Sequence, residues 1–525
     1  MSADGHRTRA QSCANMKRPA LGGKVRVLLI NPPLDAVIRN GNVSPVTTYL
    51  FYNSAPLGIL YIAAVLERHG HVVGAVDAAA ELMDVPQTVE RVEAFKPDVI
   101  GIGATTVIFH GALELANALK EALPGIPIVL GGWHVNVMPE DAMQHECFDV
   151  GVIGEGEFTM LELMDVYEGR KNLEDIDGIL FRKPDGEGFH YTPKRKKFRD
   201  MDSLPFPARH LLPANIYRPI PIDEHGLPKF AMVTSRGCPH ACAFCQKSRS
   251  GYRSHSPRYI VDEMEHMIRD YGVKDIAIVD SLFCMNKKRV MKICDEMIRR
   301  GIQNQISWTC SSRVEVVDKE MLQKMKDAGC WRTRFGVESG NDRVLDFISK
   351  GITKEKIRNA ITWADEVGLR PKAFFMVGHI PDTAESIEET IEFALSIPLH
   401  DVTVQINTLL PETPNMDIWE AEGEKYGRIV NASTDEKSFW EPTYVPWGLE
   451  QEDLVRYHRE FYRRFYFRPV VMQRHLQEIH SWRDIAKYVQ ASSLFSFLFY
   501  NREKMNLSTI KQMVKVQMRG SEASA

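Results

Sequence analysis

The chain has 525 residues, 44% hydrophobic and 26% charged, with a formal net charge of -4. At ~150 residues per domain it should form about three domains, each able to bury a core, and it lacks the basic excess that tracks a nucleic-acid backbone. The cysteines (Cys13, Cys147, Cys238, Cys242, Cys245, Cys284, Cys294, Cys310 and Cys330) lack the dense, even spacing of a secreted disulfide scaffold, so the compartment reads as reducing.

Residues 1–24 are polar and basic, without the apolar core of a signal peptide, and read as a disordered tail. No stretch approaches the ~20 apolar residues of a membrane span, so a cytoplasmic location is expected.

Over 25–185, short β-branched runs alternate with helical patterns. Val25–Ile30, Val72–Asp77, Asp98–Gly103, Pro127–Leu130 and Asp149–Ile153 read as strands; Leu57–His69, Val89–Phe95 and Ala112–Ala122 read as helices. This is the pattern of a doubly wound parallel sheet, which binds ligands beyond the carboxyl ends of its strands. Those ends carry Asn31, Asp77, Thr105, Gly131, Gly132, His134, Gly154, Gly156 and Glu157. For each glycine alone a turn requirement is the simpler reading. Nothing matches Gly-x-Gly-x-x-Gly after the first strand, which disfavours a nicotinamide cofactor.

The segments Ala55-Pro56-Leu57-Gly58-Ile59-Leu60-Tyr61, Gly131-Gly132-Trp133-His134 and Gly154-Glu155-Gly156-Glu157 resemble the cobalamin-binding domain that precedes the radical domain in B12-dependent radical S-adenosylmethionine (SAM) enzymes. The resemblance implies a Rossmann-like, flavodoxin-like fold with cobalamin contacts at Pro56, Leu57, Gly58, Thr105, Gly131, Gly132, His134, Gly154, Gly156 and Glu157. It departs from base-off cobalamin proteins in lacking Asp-x-His-x-x-Gly, so His134 and His110 read as ordinary histidines rather than cobalt ligands.

Residues 186–229, rich in Pro, Gly and charge, read as a connector. Then comes Ser235-Arg236-Gly237-Cys238-Pro239-His240-Ala241-Cys242-Ala243-Phe244-Cys245. Three thiolates at this spacing can hold three irons of a [4Fe–4S] cluster and leave the fourth iron open. The alternatives are a zinc site, which usually takes four closed ligands, or three structural thiols, which seldom crowd around a Gly and a Pro. The stretch resembles the Cys-x3-Cys-x2-Cys loop of the radical SAM superfamily. The resemblance implies that SAM chelates the open iron and is cleaved to a 5′-deoxyadenosyl radical.

Over 230–425 six strands are expected, at Phe230–Thr234, Ile276–Asp280, Ile306–Cys310, Thr333–Val337, Lys372–Val377 and Val402–Asn407, with helices between them. Six βα units give a partial (β/α)6 barrel with its functional face at the strands' carboxyl ends. Phe244, Asp280, Ser311, Arg313, Glu338 and Gly378 are the SAM contacts implied there, although each charge singly could be a salt-bridged loop residue. Cys284 and Cys310 read as small buried residues.

Residues 426–525 read as helices, at Leu449–Phe467, Met472–Ile479 and Trp482–Phe499, forming a cap that closes the barrel mouth. The reading is an α/β enzyme using a [4Fe–4S] cluster, SAM and cobalamin to methylate an unactivated carbon of a small molecule. A flavodoxin or ferredoxin would supply electrons. The rivals are a cyclase or rearrangement catalyst similar to the anaerobic magnesium-protoporphyrin cyclase, and a non-catalytic cobalamin or iron–sulfur sensor.

Overall fold

The computed structural model describes residues 24–34, 54–217, 219, 223, 225–246, 250–430, 442–479 and 484. The tail expected over 1–24 and the helix expected over Trp482–Phe499 lie almost wholly outside them. The chain divides after Tyr217 into two compact units.

The first unit alternates β1 (Arg26–Asn31), α1 (Leu57–Arg68), β2 (Val72–Asp77), α2 (Val85–Phe95), β3 (Val99–Gly103), α3 (Phe109–Ala122) and β4 (Ile128–Gly131). Two short helices, α4 (Trp133–Val137) and α5 (Pro139–Met143), precede β5 (Val150–Val152), α6 (Gly156–Tyr167), β6 (Ile179–Arg182) and β7 (Phe189–Tyr191). The sheet order is β2-β1-β3-β4-β5-β6-β7, parallel through β5. Its direction of growth reverses at the crevice between β1 and β3. Val27, Leu29, Val99, Val129 and Val150 share one core with α1 and α6, and the alternating Leu28, Ile30, Ile100, Ile102, Ile128 and Leu130 are buried as well, so the strands are apolar on both faces.

The antiparallel hairpin β6–β7 was not anticipated. It enters the segment expected to be a connector, and that segment as far as Tyr217 folds onto the first unit. Met201, Leu204, Ala208, Leu212 and Tyr217 are buried, and the Ala208 amide donates to the Leu60 carbonyl. Proline fixes φ and removes a donor, so such a stretch reads as a linker even where its apolar residues are spaced to pack.

The second unit contains β8 (Lys229–Met232), a two-residue ribbon of β9 (Ser235–Arg236) and β10 (Arg253–Ser254), α7 (Pro257–Tyr271), β11 (Asp275–Ile278), α8 (Lys287–Arg299) and β12 (Ser307–Ser312). It continues through α9 (Lys319–Asp327), β13 (Cys330–Glu338), α10 (Asp342–Phe347), α11 (Lys354–Glu366), β14 (Arg370–Val377), α12 (Ala384–Ser396) and β15 (Asp401–Ile406). Last come α13 (Pro414–Tyr426), β16 (Gly427–Ile429), β17 (Tyr444–Pro446), α14 (Gln451–Tyr466) and α15 (Pro469–Leu476). Ser256, Asn286, Asp318, Thr353 and Thr383 each cap the helix that follows them, which stops the chain turning back as strand.

Six strands form a parallel sheet in the order β15-β14-β13-β12-β11-β8, with β8 and β15 at its two edges, as a partial barrel requires. Buried charges gather at the amino ends of the strands: Arg332 pairs with Asp401 and Asp223, and Lys229 with Asp275 at 2.9 Å. Because Asp223 precedes β8 and Asp401 opens β15, Arg332 joins the two sides of the seam that no strand pairing closes.

The helix expected over Leu449–Phe467 forms as α14. This helix runs along β15: Tyr462 Oη accepts from the Val404 amide at 2.9 Å, and Phe461 packs on Phe375. It covers a free sheet edge, where unpaired amides need partners, and its first turns bring Leu454 against Gly378 at the carboxyl end of β14.

Candidate cluster and cofactor sites

The cysteine loop leaves and re-enters through the β9–β10 ribbon, which brings its ends together. Gly237 makes the first turn with φ +88°, and a Cβ there would meet the Gly251 carbonyl oxygen at 1.7 Å, so only glycine fits. Backbone bonds then pin the loop: Ala243 N donates to Ile348 O at 2.8 Å, and Asn415 N donates to Ala243 O at 2.9 Å. Cys238 N donates to Ser250 Oγ at 2.9 Å. Cys242 is buried, whereas Cys238 and Cys245 are half-buried. Among the described residues no three His, Cys, Asp or Glu side chains converge closely enough for a single ion.

Of the SAM candidates, Glu338 ends β13 with φ +71°, an uncommon backbone for a non-glycine residue, and its Oε1 pairs with Lys350 Nζ at 2.7 Å. Lys350 also lies 5.6 Å from the Phe244 ring centroid. Ser311 is half-buried at the end of β12, and Gly378 turns the chain after β14 with φ +81°.

Asp280 and Arg313 are otherwise engaged. Asp280 accepts from Thr234 N and Ser235 Oγ, both at 2.6 Å, and so fixes the approach to the cysteine loop. Arg313 donates to Cys242 Sγ at 3.0 Å, to Glu315 and to the Lys350 carbonyl. Both are thus held by protein partners, as Glu338 is by Lys350.

Beside Phe244 lie groups with nothing to bind. His379, its ring 5.9 Å from that of Phe244, is fully buried with no hydrogen-bond partner on either ring nitrogen among the described residues; the same holds for the Asn407 amide. Burial and the Lys350 ammonium push the His379 pKa down to about 3, so its imidazole is neutral and one nitrogen donates while the other accepts. Unpaired buried polar atoms cost roughly 1–3 kcal/mol each, and a ligand with ribose hydroxyls and a purine edge could supply partners. Both residues sit at strand ends that the sequence marks. Lys350, in a turn between two helices, has no sequence signal.

The first unit gathers its glycines at the carboxyl ends of β3 to β5. Gly132 has φ +101°, and a Cβ there would meet the Ala104 carbonyl oxygen at 2.4 Å. At Gly58, Gly131 and Gly154 a Cβ would meet nothing within 4 Å, so the backbone borders open space that a bulky ligand could approach. Thr105 is exposed beside them, and Pro56 precedes α1. Leu57 and Glu157 are buried, and Gly156 packs against Ile62, with 2.9 Å from a Cβ to the Ile62 methyl.

His134 is buried and stacked on Phe109 at 3.8 Å, with Nδ1 3.4 Å from Thr106 Oγ1 and Nε2 3.3 Å from Asp141 Oδ2. Burial lowers its pKa, which favours the neutral imidazole. Asn136, which the sequence does not single out, ties two glycine turns together: Nδ2 donates to Gly132 O at 2.5 Å and Oδ1 accepts from Gly154 N at 2.6 Å.

Two family models match the chain, the Radical SAM superfamily over residues 232–394 and the B12 binding domain over residues 43–164. An uncharacterized methyltransferase of Pyrococcus horikoshii is 31% identical over 464 residues, 87% of this chain and 96% of the relative. The anaerobic magnesium-protoporphyrin IX monomethyl ester cyclase of Rubrivivax gelatinosus is 28% identical, over 80% of this chain and 75% of its own. Among solved structures, the cobalamin-dependent SAM radical enzyme OxsB shares the fold with a TM-score of 0.70 at 17% identity, covering 95% of this chain and 75% of that one. The protein belongs to the B12-dependent radical SAM enzymes. It is an enzyme, not a bare sensor, and its cofactors are a [4Fe–4S] cluster, SAM and cobalamin.

Proposed function

We propose that the enzyme methylates an unactivated carbon of a small-molecule substrate. The observation that carries this reading is that a methyltransferase relative is matched over nearly its whole length, in a chain that has both a cysteine loop and a glycine-lined cradle. When bound, the cluster with SAM supplies a 5′-deoxyadenosyl radical and methylcobalamin supplies the methyl group.

The chain's own part is to bind, orient and exclude water. Cys238, Cys242 and Cys245 hold the cluster. Phe244, Ser311, Glu338 and Gly378, with His379 and Asn407 behind them, take SAM: the Glu338 carboxylate accepts from ribose hydroxyls, and the Ser311 hydroxyl donates to the methionyl carboxylate. Gly58, Thr105, Gly131, Gly132 and Gly154 admit the corrin edge, and His134 stays off cobalt. The electron comes from a low-potential donor of the flavodoxin or ferredoxin kind. None of the helices searched in the described residues is long and apolar enough to cross a membrane.

The test is anaerobic incubation of the reconstituted enzyme with methyl-labelled SAM, a strong reductant and an extract of the source cells. Label in a new small molecule, together with S-adenosylhomocysteine and 5′-deoxyadenosine in equal amounts after correction for uncoupled cleavage, is the expected result. Deoxyadenosine with an unlabelled product and no homocysteine species would overturn methylation in favour of a cyclase-type reaction, the alternative raised by the Rubrivivax gelatinosus relative.

A further inference from the structure

Arg313 follows β12, is buried, and uses each of its three guanidinium nitrogens inside the second unit. Nε donates to the Glu315 carboxylate and Nη2 to the Lys350 carbonyl, and these two contacts leave Nη1 aimed at Cys242 Sγ, 3.0 Å away. Its planar fork cannot swing as a lysine would, and it stays protonated at any working pH. Lys350, the neighbouring buried cation, is paired with Glu338 at 2.7 Å.

We propose that Arg313 is a positioning residue that sets the reduction potential of the cluster by donating a charge-assisted hydrogen bond to the Cys242 thiolate. This rests on the cluster and not on methyl transfer. On reduction one electron arrives from a low-potential donor, no bond breaks, and the thiolate-ligated unit becomes one charge more negative. A fixed cation at hydrogen-bonding distance from a ligand sulfur stabilises that added charge, so the potential rises. Glu315 cancels part of the charge at long range but leaves the N–H···S bond intact.

The experiment uses the full chain reconstituted anaerobically with iron and sulfide. A potentiometric titration is followed by the electron paramagnetic resonance signal of the reduced cluster, in samples matched for iron. Arg313→Gln is expected to lower the midpoint by the equivalent of about tenfold in the reduction equilibrium, about 59 mV for one electron. Arg313→Lys, which keeps a charge but not the fork, should fall between. An iron-loaded Arg313→Gln with an unchanged midpoint overturns the proposal.

If that variant fails to hold the cluster, the wild-type chain decides. With arginine labelled by 15N in the guanidinium, the reduced cluster should show a nitrogen hyperfine coupling that Arg313→Lys lacks, and its absence in the wild type overturns the proposal. SAM affinity separates this role from the one expected from sequence. A Kd for SAM raised about tenfold with the midpoint unchanged would assign Arg313 to SAM instead.

Discussion

Asp382 shows how a single carboxylate can hold a turn at a strand end. Its Oδ2 accepts from His379 N at 2.8 Å and its Oδ1 from Ser386 Oγ at 2.6 Å, so it fixes the turn that carries Gly378 and His379 toward Phe244. Burial raises its pKa to about 6 in spite of these hydrogen bonds. The fold therefore favours the protonated acid. The stability this group contributes is present in full below the ordinary carboxyl pKa of about 3.9, and it is lost as pH rises through about 6, by on the order of 3 kcal/mol. Asp382→Asn should remove that dependence. Urea unfolding of the apo chain across this pH range is expected to show wild type losing stability relative to the variant, and two curves that fall in parallel would show that the carboxyl does not titrate there.

At the scale of elements, two loops from neighbouring strands are held as one surface. The turns after β4 and β5 each need glycine in a left-handed conformation, at Gly132 and Gly154, and Asn136 on α4 binds both. Removing its amide leaves both turns formed but free to separate. Asn136→Ala should raise the Kd for hydroxocobalamin about tenfold, the ~1.4 kcal/mol expected of one net hydrogen bond, with little change in thermal midpoint. Asn136→Asp keeps the acceptor for Gly154 N and should fall between. Titration by absorbance measures both, and an unchanged Kd in the alanine variant would show that the cradle does not need the clasp.

At the scale of the molecule, each ligand set lies within one compact unit. All cobalamin candidates precede Tyr217, and the cysteines and SAM candidates follow it. Replacing Cys238, Cys242 and Cys245 together by Ala should therefore abolish iron binding and SAM cleavage while leaving cobalamin affinity unchanged. Iron analysis beside a cobalamin titration checks this, and joint loss of both cofactors would mean that the first site depends on the second.

The sequence by itself determined the family, the five parallel strands of the first sheet and the six of the second in chain order, and the cysteine loop, because these depend on local periodicity and on residues close together in the chain. It also exposed the missing cobalt-ligand motif. It could not show that Arg313 meets Cys242 or that Asp280 turns to Thr234, since those partners lie 71 and 46 residues away. Nor could it find Lys350 or Asn136, whose roles exist only once distant turns are brought together. The hairpin β6–β7 and the fold of 186–217 onto the first unit were hidden for the same reason: proline and charge read locally as a connector, and burial against Leu60 and its neighbours is a property of the tertiary structure. The placement of α14 on β15 follows from an edge that needs partners, which no stretch of sequence displays.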